Sequence, residues 1–488
     1  MHEMYCQLDE PDGMNGISAA VLTPTLEHQI REHESNGRWT AAQSCWEVSL
    51  QSKPDDLDSH IGLLRCLRNL GHYDTMRTHL VGILSRNPTW SSSVEPFRLE
   101  GAWTAHDWTS LEKFVSSSAK ASPELSIARI LLALRTRQQD AIEEALTKAR
   151  VDFGQPIGSA GPSAYRRTYE ASLHLHMVEE LSLISQAMDI AVNNRQHDRT
   201  RHLSRLSEIL DARYQSVLPS YRTLEPILNI RRTAFDLLYW LTSSKIARKA
   251  GHFQAAYSAL LQGRQRDAPF HFVQGCKLLE SGGESIRALQ ELNNSLETNT
   301  QSGDVIELTT EDDARLKAKA WLLRVRWMQA SERYSRAELN AQFNRVSQVD
   351  PRSESVFFYW ALYLDRSQEH REVPTEYLEE YLNHIDHVVR HYGRSLLHGS
   401  KHLYQTVPRM LTLWLNLGQR SELTATKGMS SADHPYRTAV TKYGRLCEWI
   451  KGDLIREVDT FKWLTAFPQI VSRLVVNNQM VKGALFSM

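Results

Sequence analysis

The stretch Gly37–Pro88, GRWTAAQSCWEVSLQSKPDDLDSHIGLLRCLRNLGHYDTMRTHLVGILSRNP, carries its own repeat. Gly37-Arg38-Trp39 and Gly71-His72-Tyr73 lie 34 positions apart, as do Pro54 and Pro88, and in each unit the glycine precedes the proline by 17. That is the period and internal spacing of a tetratricopeptide helical hairpin, with glycine and an aromatic at the inter-helix turn and proline closing the second helix. Ala42 and Trp46 stand at the small and large packing positions. A decayed third unit follows, with Trp108 and Pro123 shifted by one. Gly251-His252-Phe253 with Ala256 restates the turn, and Gly283 with Ala288 does so again 32 positions later. One such pair cannot bury its apolar face alone, so neighbouring pairs must stack.

Outward from the repeat, Leu125–Arg150 and Tyr165–Arg213 read as helical. The intervening Val151–Ser163 holds Gly154, Pro156, Gly158, Gly161 and Pro162 and reads as a loop. Pro219 and Pro226 punctuate before a buried helix pair over Ile227–Lys249. Between Asn293 and Asp313 polar residues take over, which marks an internal boundary or exposed loop. Leu316–Ala330 and Arg336–Val349 form a hairpin closed by Pro351, and Ser355–Arg366 follows. Ser421–His434 reads as a polar connector, and Tyr436–Ile450 and Phe461–Val476 as the last two helices. No segment alternates at period two for long, which excludes a sheet-based core.

Composition narrows the function. The 488 residues carry 57 basic and 57 acidic side chains, so net charge predicts no attraction to nucleic acid or to an anionic membrane. The cysteines, Cys6, Cys45, Cys66, Cys276 and Cys447, are scattered and form no CxxC pair; a disulfide framework and a zinc ribbon are both disfavoured. The acidic, turn-rich MHEMYCQLDEPDG start is unlike a secretory signal, and the longest apolar run, Val356–Leu364, is too short to cross a bilayer.

His391–Gly418 reads HYGRSLLHGSKHLYQTVPRMLTLWLNLG. Leu403, Val407, Met410, Leu411, Trp414 and Leu417 recur at helical spacing and form a stripe for burial. Pro408 sits inside the stripe and either opens a new helix or kinks this one. Arg394 and Arg409 flank it, placed to cap carbonyls or pair with a carboxylate of a neighbouring helix.

Here the residues resemble a known family. GRSL (Gly393–Leu396) followed by YQTVPRMLTLWLNLG (Tyr404–Gly418) is similar to the signature stretch of the FAT region of ATR-type checkpoint kinases, members of the phosphatidylinositol 3-kinase-related protein kinases. The matching positions are Gly393, Arg394, Tyr404, Gln405, Pro408, Arg409 and Trp414. EPDGMNGISA (Glu10–Ala19), REHESNG (Arg31–Gly37), LHLHMVEEL (Leu173–Leu181), VRWMQ (Val325–Gln329) and WLTAFPQIVSRL (Trp463–Leu474) resemble other parts of that region, in order. The resemblance divides the chain into 1–300, a tetratricopeptide-like part, 301–474, the C-terminal part of the FAT region, and 475–488, a tail that departs from the pattern. It also implies a fragment or a truncated gene model of a longer kinase.

Local constellations add little chemistry. Asp152-Phe153-Gly154 spells the magnesium-binding tripeptide of protein kinases, but no catalytic loop, glycine-rich loop or lysine strand precedes it. His384, His387 and His391 share a helix face and are the candidate metal ligands; the bland alternative is a solvated or carbonyl-bonded face. Arg195, Arg199 and His202 form a candidate anion patch, set against a solvated face balanced by Asp198, Glu208 and Asp211.

The expectation is an all-α solenoid of tetratricopeptide-like hairpins without catalytic residues or a cofactor of its own. The resemblance implies that ATP and magnesium belong to a kinase domain outside this chain. It further implies that the region clamps that domain in the nucleus, contributes homodimer contacts and meets the regulatory subunit and activator proteins of the DNA-damage and replication checkpoint. The alternative is a free-standing tetratricopeptide scaffold for protein–protein interaction.

Overall fold

The computed structural model describes residues 4–5, 11–21, 23–118, 121–160, 165–193, 196–235, 239–301, 311–367, 378–418 and 437–472. Among the described residues every regular element is helical, as the periodicity predicts for an all-α solenoid. None of these helices is long and apolar enough to cross a membrane. The chain divides into two compact units, Met1–Ser281 and Gly282–Met488. The helix on which the polar stretch begins packs onto the helix that follows it, which keeps both in the second unit.

The first unit runs α1 (Pro11–Ala20), α2 (Leu26–Ser35), α3 (Trp39–Ser52), α4 (Leu57–Leu70), α5 (Tyr73–Arg86), α6 (Glu95–Thr104), α7 (Trp108–Ser117), α8 (Pro123–Thr136), α9 (Gln139–Gly158), α10 (Tyr165–Asn193), α11 (Gln196–Ser216), α12 (Tyr221–Phe235), α13 (Trp240–Lys249), α14 (Phe253–Gln265) and α15 (His271–Ser281). Consecutive helices pack in pairs, α3 on α4, α9 on α10 and α13 on α14 among them.

The repeat residues sit at the joints. Gly37, Gly71 and Gly251 have φ of 68°, 73° and 82° in the turns before Trp39, Tyr73 and Phe253, the first residues of α3, α5 and α14. At Gly71 the left-handed turn lets its own N–H donate to Arg68 O (3.1 Å) and the His72 N–H to Leu67 O (2.9 Å), closing carbonyls that α4 leaves open. Pro54 and Pro88 follow α3 and α5; the residues before them, Lys53 and Asn87, have left the helical region (φ −134° and −128°), as a following proline ring requires.

Among the described residues the two larger apolar clusters of this unit are as follows. Leu63, Leu64, Leu67, Met76, Leu80, Ile83, Val94 and Phe97 join α4 to α5 and α6, with Trp46 packed against them. Trp46 covers Gly62 so closely that an added Cβ there would overlap its ring. Leu99, Trp103, Leu111, Ile127, Ile130, Ile142, Phe153, Leu181, Ile227 and Ile230 join α6 through α10 to α12. Each such aliphatic or aromatic side chain contributes about 1.5–3 kcal/mol on full burial.

Two expectations for local structure are corrected here. The Val151–Ser163 segment is not a loop at its start, because α9 continues through Asp152-Phe153-Gly154 to Gly158. Phe153 is buried and stacks on His174 of α10 (centroids 5.0 Å), which offsets much of the helix cost of Gly154 and Pro156. Asp152 Oδ2 accepts from Ser126 Oγ (3.2 Å), a structural bond. Pro226 lies inside α12 and does not interrupt it.

The second unit runs α16 (Ser285–Gln301), α17 (Glu311–Ala330), α18 (Arg336–Val349), α19 (Glu354–Arg366), α20 (Leu378–His398), α21 (Leu403–Gly418) and α22 (Arg437–Trp449). A capping box starts α18, with the Glu338 N–H donating to Ser335 Oγ and the Ser335 N–H to Glu338 Oε2. Pro408 is internal to α21, whose stripe of Leu403, Val407, Met410, Leu411, Trp414 and Leu417 is buried throughout. The expected last helix over Phe461–Val476 is broken into Thr460–Trp463, a 3-10 turn at Leu464–Ala466 and Phe467–Ser472, where Pro468 opens the last piece. The Ser421–His434 connector and the 475–488 tail lie outside the described residues.

Candidate functional site

In the first unit the turns Gly71-His72-Tyr73 and Gly251-His252-Phe253 meet, although they are far apart in sequence. A Cβ on Gly71 would overlap the Tyr221 hydroxyl and stand 3.2 Å from Ala255 Cβ, and the Tyr221 ring lies 4.5 Å from that of His252. Between them opens a cavity of about 580 Å³, walled by the N-terminal turns of α5 and α14, the turn before α7, and α12 and α13.

Buried charge surrounds it. Arg232 donates through Nη2 to Glu225 Oε1 (2.6 Å) and through Nη1 to Ser243 Oγ, while its Nε has no hydrogen-bond partner. Trp240 lies between two guanidiniums, Arg232 at 4.8 Å and Arg266 at 5.2 Å from the ring. Behind the wall, Tyr73 donates to Glu100 Oε1 (3.3 Å), and Arg68 bridges Glu100 (3.5 Å) and Glu124 (3.0 Å). Burial pushes the Glu100 carboxyl up and the Arg68 charge offsets part of that; the Tyr73 phenol is pushed up by burial and by Glu100. Burial holds both His72, which lines the cavity, and His252, which packs beside Tyr221, below the ordinary imidazole range.

A second charged cluster joins α10 to α12. Arg231, 1% exposed, donates through Nε and Nη2 to the two oxygens of Glu180 (2.7 and 2.5 Å) and to Leu210 O (2.8 Å), and His176 Nε2 lies 3.0 Å from Glu180 Oε1. Burial raises the Glu180 carboxyl, but the bonds from Arg231 and His176 prevail and hold it below its ordinary range. A buried pair with every oxygen engaged fixes helix orientation.

The signature residues of the second unit are placed individually. Arg409 forks onto Asp365 of α19 (2.7 and 2.9 Å), and the Tyr392 hydroxyl donates to the same carboxylate (3.2 Å). Trp414 is fully buried, its Nε1 donating to Cys447 Sγ (3.3 Å), and Tyr443 donates to Trp414 O (3.4 Å). Gly393 lets Trp449 approach, since a Cβ would stand 2.6 Å from its ring. Arg394 is exposed and lies 5.7 Å over the Phe357 ring. Tyr404 is 80% exposed, and Gln405 is exposed beside it. The Pro408 carbonyl accepts from Gln469 Nε2 (3.2 Å).

The histidine face does not assemble a metal centre. His384 bonds Leu364 O (2.9 Å), His387 is exposed, and His391 is buried, stacked 4.1 Å from Trp360 and 6.0 Å from Phe357. Among the described residues no three His, Cys, Asp or Glu side chains converge as metal ligands. The side chains of Arg195, Arg199 and His202 lie outside the described residues. Sequence reasoning missed Asp365, Glu180, Arg231 and the whole cavity. Each depends on partners tens of residues away, and the one local signal was a charged residue in an otherwise apolar helix face.

Known proteins resemble this chain in sequence and in fold. The FAT domain family profile matches residues 95–412. Serine/threonine-protein kinase ATR of Arabidopsis thaliana is 26% identical over 550 aligned positions, which cover 99% of this chain and 20% of that protein. Protein kinase rad3 of Schizosaccharomyces pombe is 24% identical over 501, covering 99% of this chain and 20% of the relative. The chain thus spans about a fifth of the length of these curated relatives. A solved structure described as the FAT and kinase domain of CtTel1 superposes on 95% of this chain and 35% of its own at a TM-score of 0.64 and 13% identity, a likeness of fold. With the profile covering more than half of its residues, the chain belongs to the FAT domain family.

Proposed function

We propose that this chain is the non-catalytic regulatory and scaffolding region of an ATR-type serine/threonine protein kinase acting in the DNA-damage and replication checkpoint of the nucleus. The observation that carries the reading is alignment of nearly the whole chain with kinases about five times its length, through a stretch matching the FAT profile. In this reading the stacked helix pairs clamp a kinase domain, which holds the ATP and magnesium. They also form homodimer contacts and receive the regulatory subunit and activator proteins. The mechanical basis is the packing: buried ion pairs and aromatic stacks fix neighbouring helices, so a push at one surface is transmitted along the stack.

The test is co-expression of the chain with the kinase domain of an ATR-type enzyme from the same genome. Co-purification as one species through gel filtration is expected. A chain that stays apart from the kinase domain and captures other proteins favours the free-standing tetratricopeptide scaffold. ATP-dependent phosphotransfer by the purified chain alone would overturn the non-catalytic assignment.

A further inference from the structure

The joint between α4 and α5 brings two imidazoles edge to edge. His60 Nδ1 lies 3.1 Å from His79 Nε2, with ring centroids 5.1 Å apart and ring planes at 46°. On its other side, His60 Nε2 lies 2.9 Å from Pro54 O. A carbonyl only accepts, so His60 carries its proton on Nε2 and turns the lone pair of Nδ1 toward His79. His79 Nε2 then donates the hydrogen that joins the rings.

The same geometry suits a divalent transition ion in place of that hydrogen. Imidazole nitrogens bound at about 2.0–2.1 Å to one ion stand about 2.9 Å apart at a right angle and about 3.3 Å apart at a tetrahedral one. The observed 3.1 Å lies between the two. The bond from His60 to a backbone carbonyl is the one a ligating imidazole ordinarily makes, and it fixes the tautomer that ligation needs. His79 is uncharged at neutral pH, because burial, followed by His60 and Arg86, lowers its pKa to about 4. Its ring is half-buried, which leaves the ion a path in, whereas His60 is 4% exposed and backed by Trp90, with ring centroids 5.6 Å apart. Ligation releases no proton: the hydrogen on His79 Nε2 passes through solvent to Nδ1, and the freed lone pair takes the ion. Among the described residues no third His, Cys, Asp or Glu side chain joins the pair, so water fills the remaining positions. Arg86, the last residue of α5, opposes a cation, but it is exposed and solvent screens its charge.

We propose that His60 Nδ1 and His79 Nε2 form a two-histidine site for a divalent ion of the imidazole-preferring class, such as zinc, which staples α4 to α5 across the Gly71 turn.

The experiment titrates zinc ion into the full chain and its variants by calorimetry. His79→Gln keeps an N–H for His60 Nδ1, and His60→Asn keeps an acceptor for His79 Nε2, so each removes a metal ligand while retaining a polar partner across the joint. His387→Gln, on the exposed part of the α20 histidine face, is the control for adventitious zinc. The parent is expected to show a saturable site that His79→Gln and His60→Asn each weaken at least about tenfold, since loss of even an outer partner costs that much. His387→Gln should leave that site in place. Zinc should raise the melting temperature of the parent and of His387→Gln, and not that of the other two. A reading on the parent alone guards against variants that fold poorly: peptide mapping after diethylpyrocarbonate, which acylates an imidazole nitrogen, should find His79 protected by zinc. No saturable binding, binding that survives either His79→Gln or His60→Asn, its loss in His387→Gln, or equal acylation of His79 with and without zinc overturns the proposal.

Discussion

Arg409 on α21 holds Asp365 on α19 with both arms of its guanidinium, Nε at 2.7 Å from Oδ2 and Nη2 at 2.9 Å from Oδ1. Asp365 is 6% exposed and also accepts from Tyr392, so its charge has been taken out of water on the strength of these bonds. Arg409→Met leaves that carboxylate buried without its cation. The pair is about a third open on the arginine side, so the cost falls below the range for a fully buried pair, at about 2–3 kcal/mol. Arg409→Lys keeps the charge but not the fork and should lose less. Urea denaturation of the three proteins checks the order.

Trp414 tests whether the apolar stripe of α21 is the anchor of the second unit. It is fully buried, and its indole N–H reaches Cys447 on α22. Trp414→Ala is expected to cost about 3–5 kcal/mol by chemical denaturation, as for other large core aromatics. Trp414→Phe retains most of the apolar surface and gives up the weak bond to sulfur, so it should cost clearly less. Equal losses would mean that the polar contact, and not the packing, dominates.

What the sequence disclosed follows the range of the interaction. Glycines at positive φ, the aromatic two residues on and the proline that closes the pair act within a few residues, and their 34-residue period exposed the solenoid. The stripe of α21 was equally plain. Asp152-Phe153-Gly154 misled because composition alone cannot register Phe153 stacking on His174. His391 could not be told from a metal ligand until Trp360 and Phe357 were seen to cover its ring. The cavity was invisible for the same reason, its two turns lying far apart along the chain. Arg409 was legible as an ion-pairing residue, but its partner Asp365 was not.

Gly71 and Gly251 occupy the same joint in the repeat and differ in surroundings, which separates two costs. Both have positive φ, where an L side chain costs about 1–2 kcal/mol. At Gly251 nothing lies within 4 Å of an added Cβ, so Gly251→Ala should cost only that. At Gly71 the Cβ would also overlap the Tyr221 hydroxyl, and Gly71→Ala should cost clearly more. Tyr221→Phe removes the clashing oxygen, so the double variant Gly71→Ala/Tyr221→Phe should be less destabilised than the sum of the singles. Additive losses in thermal melts of all four proteins would place the strain elsewhere.

The buried imidazole of His391 makes stability depend on pH with a definite sign. Burial, followed by the charges of Arg394 and His387, lowers its pKa from 6.5 to about 3. Well above pH 6.5 the ring is neutral in both folded and unfolded chains and contributes no slope. As pH falls from 6.5 toward 3 the unfolded chain binds a proton that the folded one refuses, so stability is lost on acidification by up to about 1.4 kcal/mol per pH unit. His391→Phe keeps an aromatic ring between Trp360 and Phe357 and has nothing to protonate. Measured by urea denaturation between pH 5 and 7, before most carboxylates titrate, the variant should lose less stability toward pH 5 than the parent. The parent's remaining slope then belongs to other histidines such as the half-buried His79, whose pKa burial lowers to about 4. Identical slopes for the two proteins would mean that His391 takes up its proton in the folded state and that its stack opens to water.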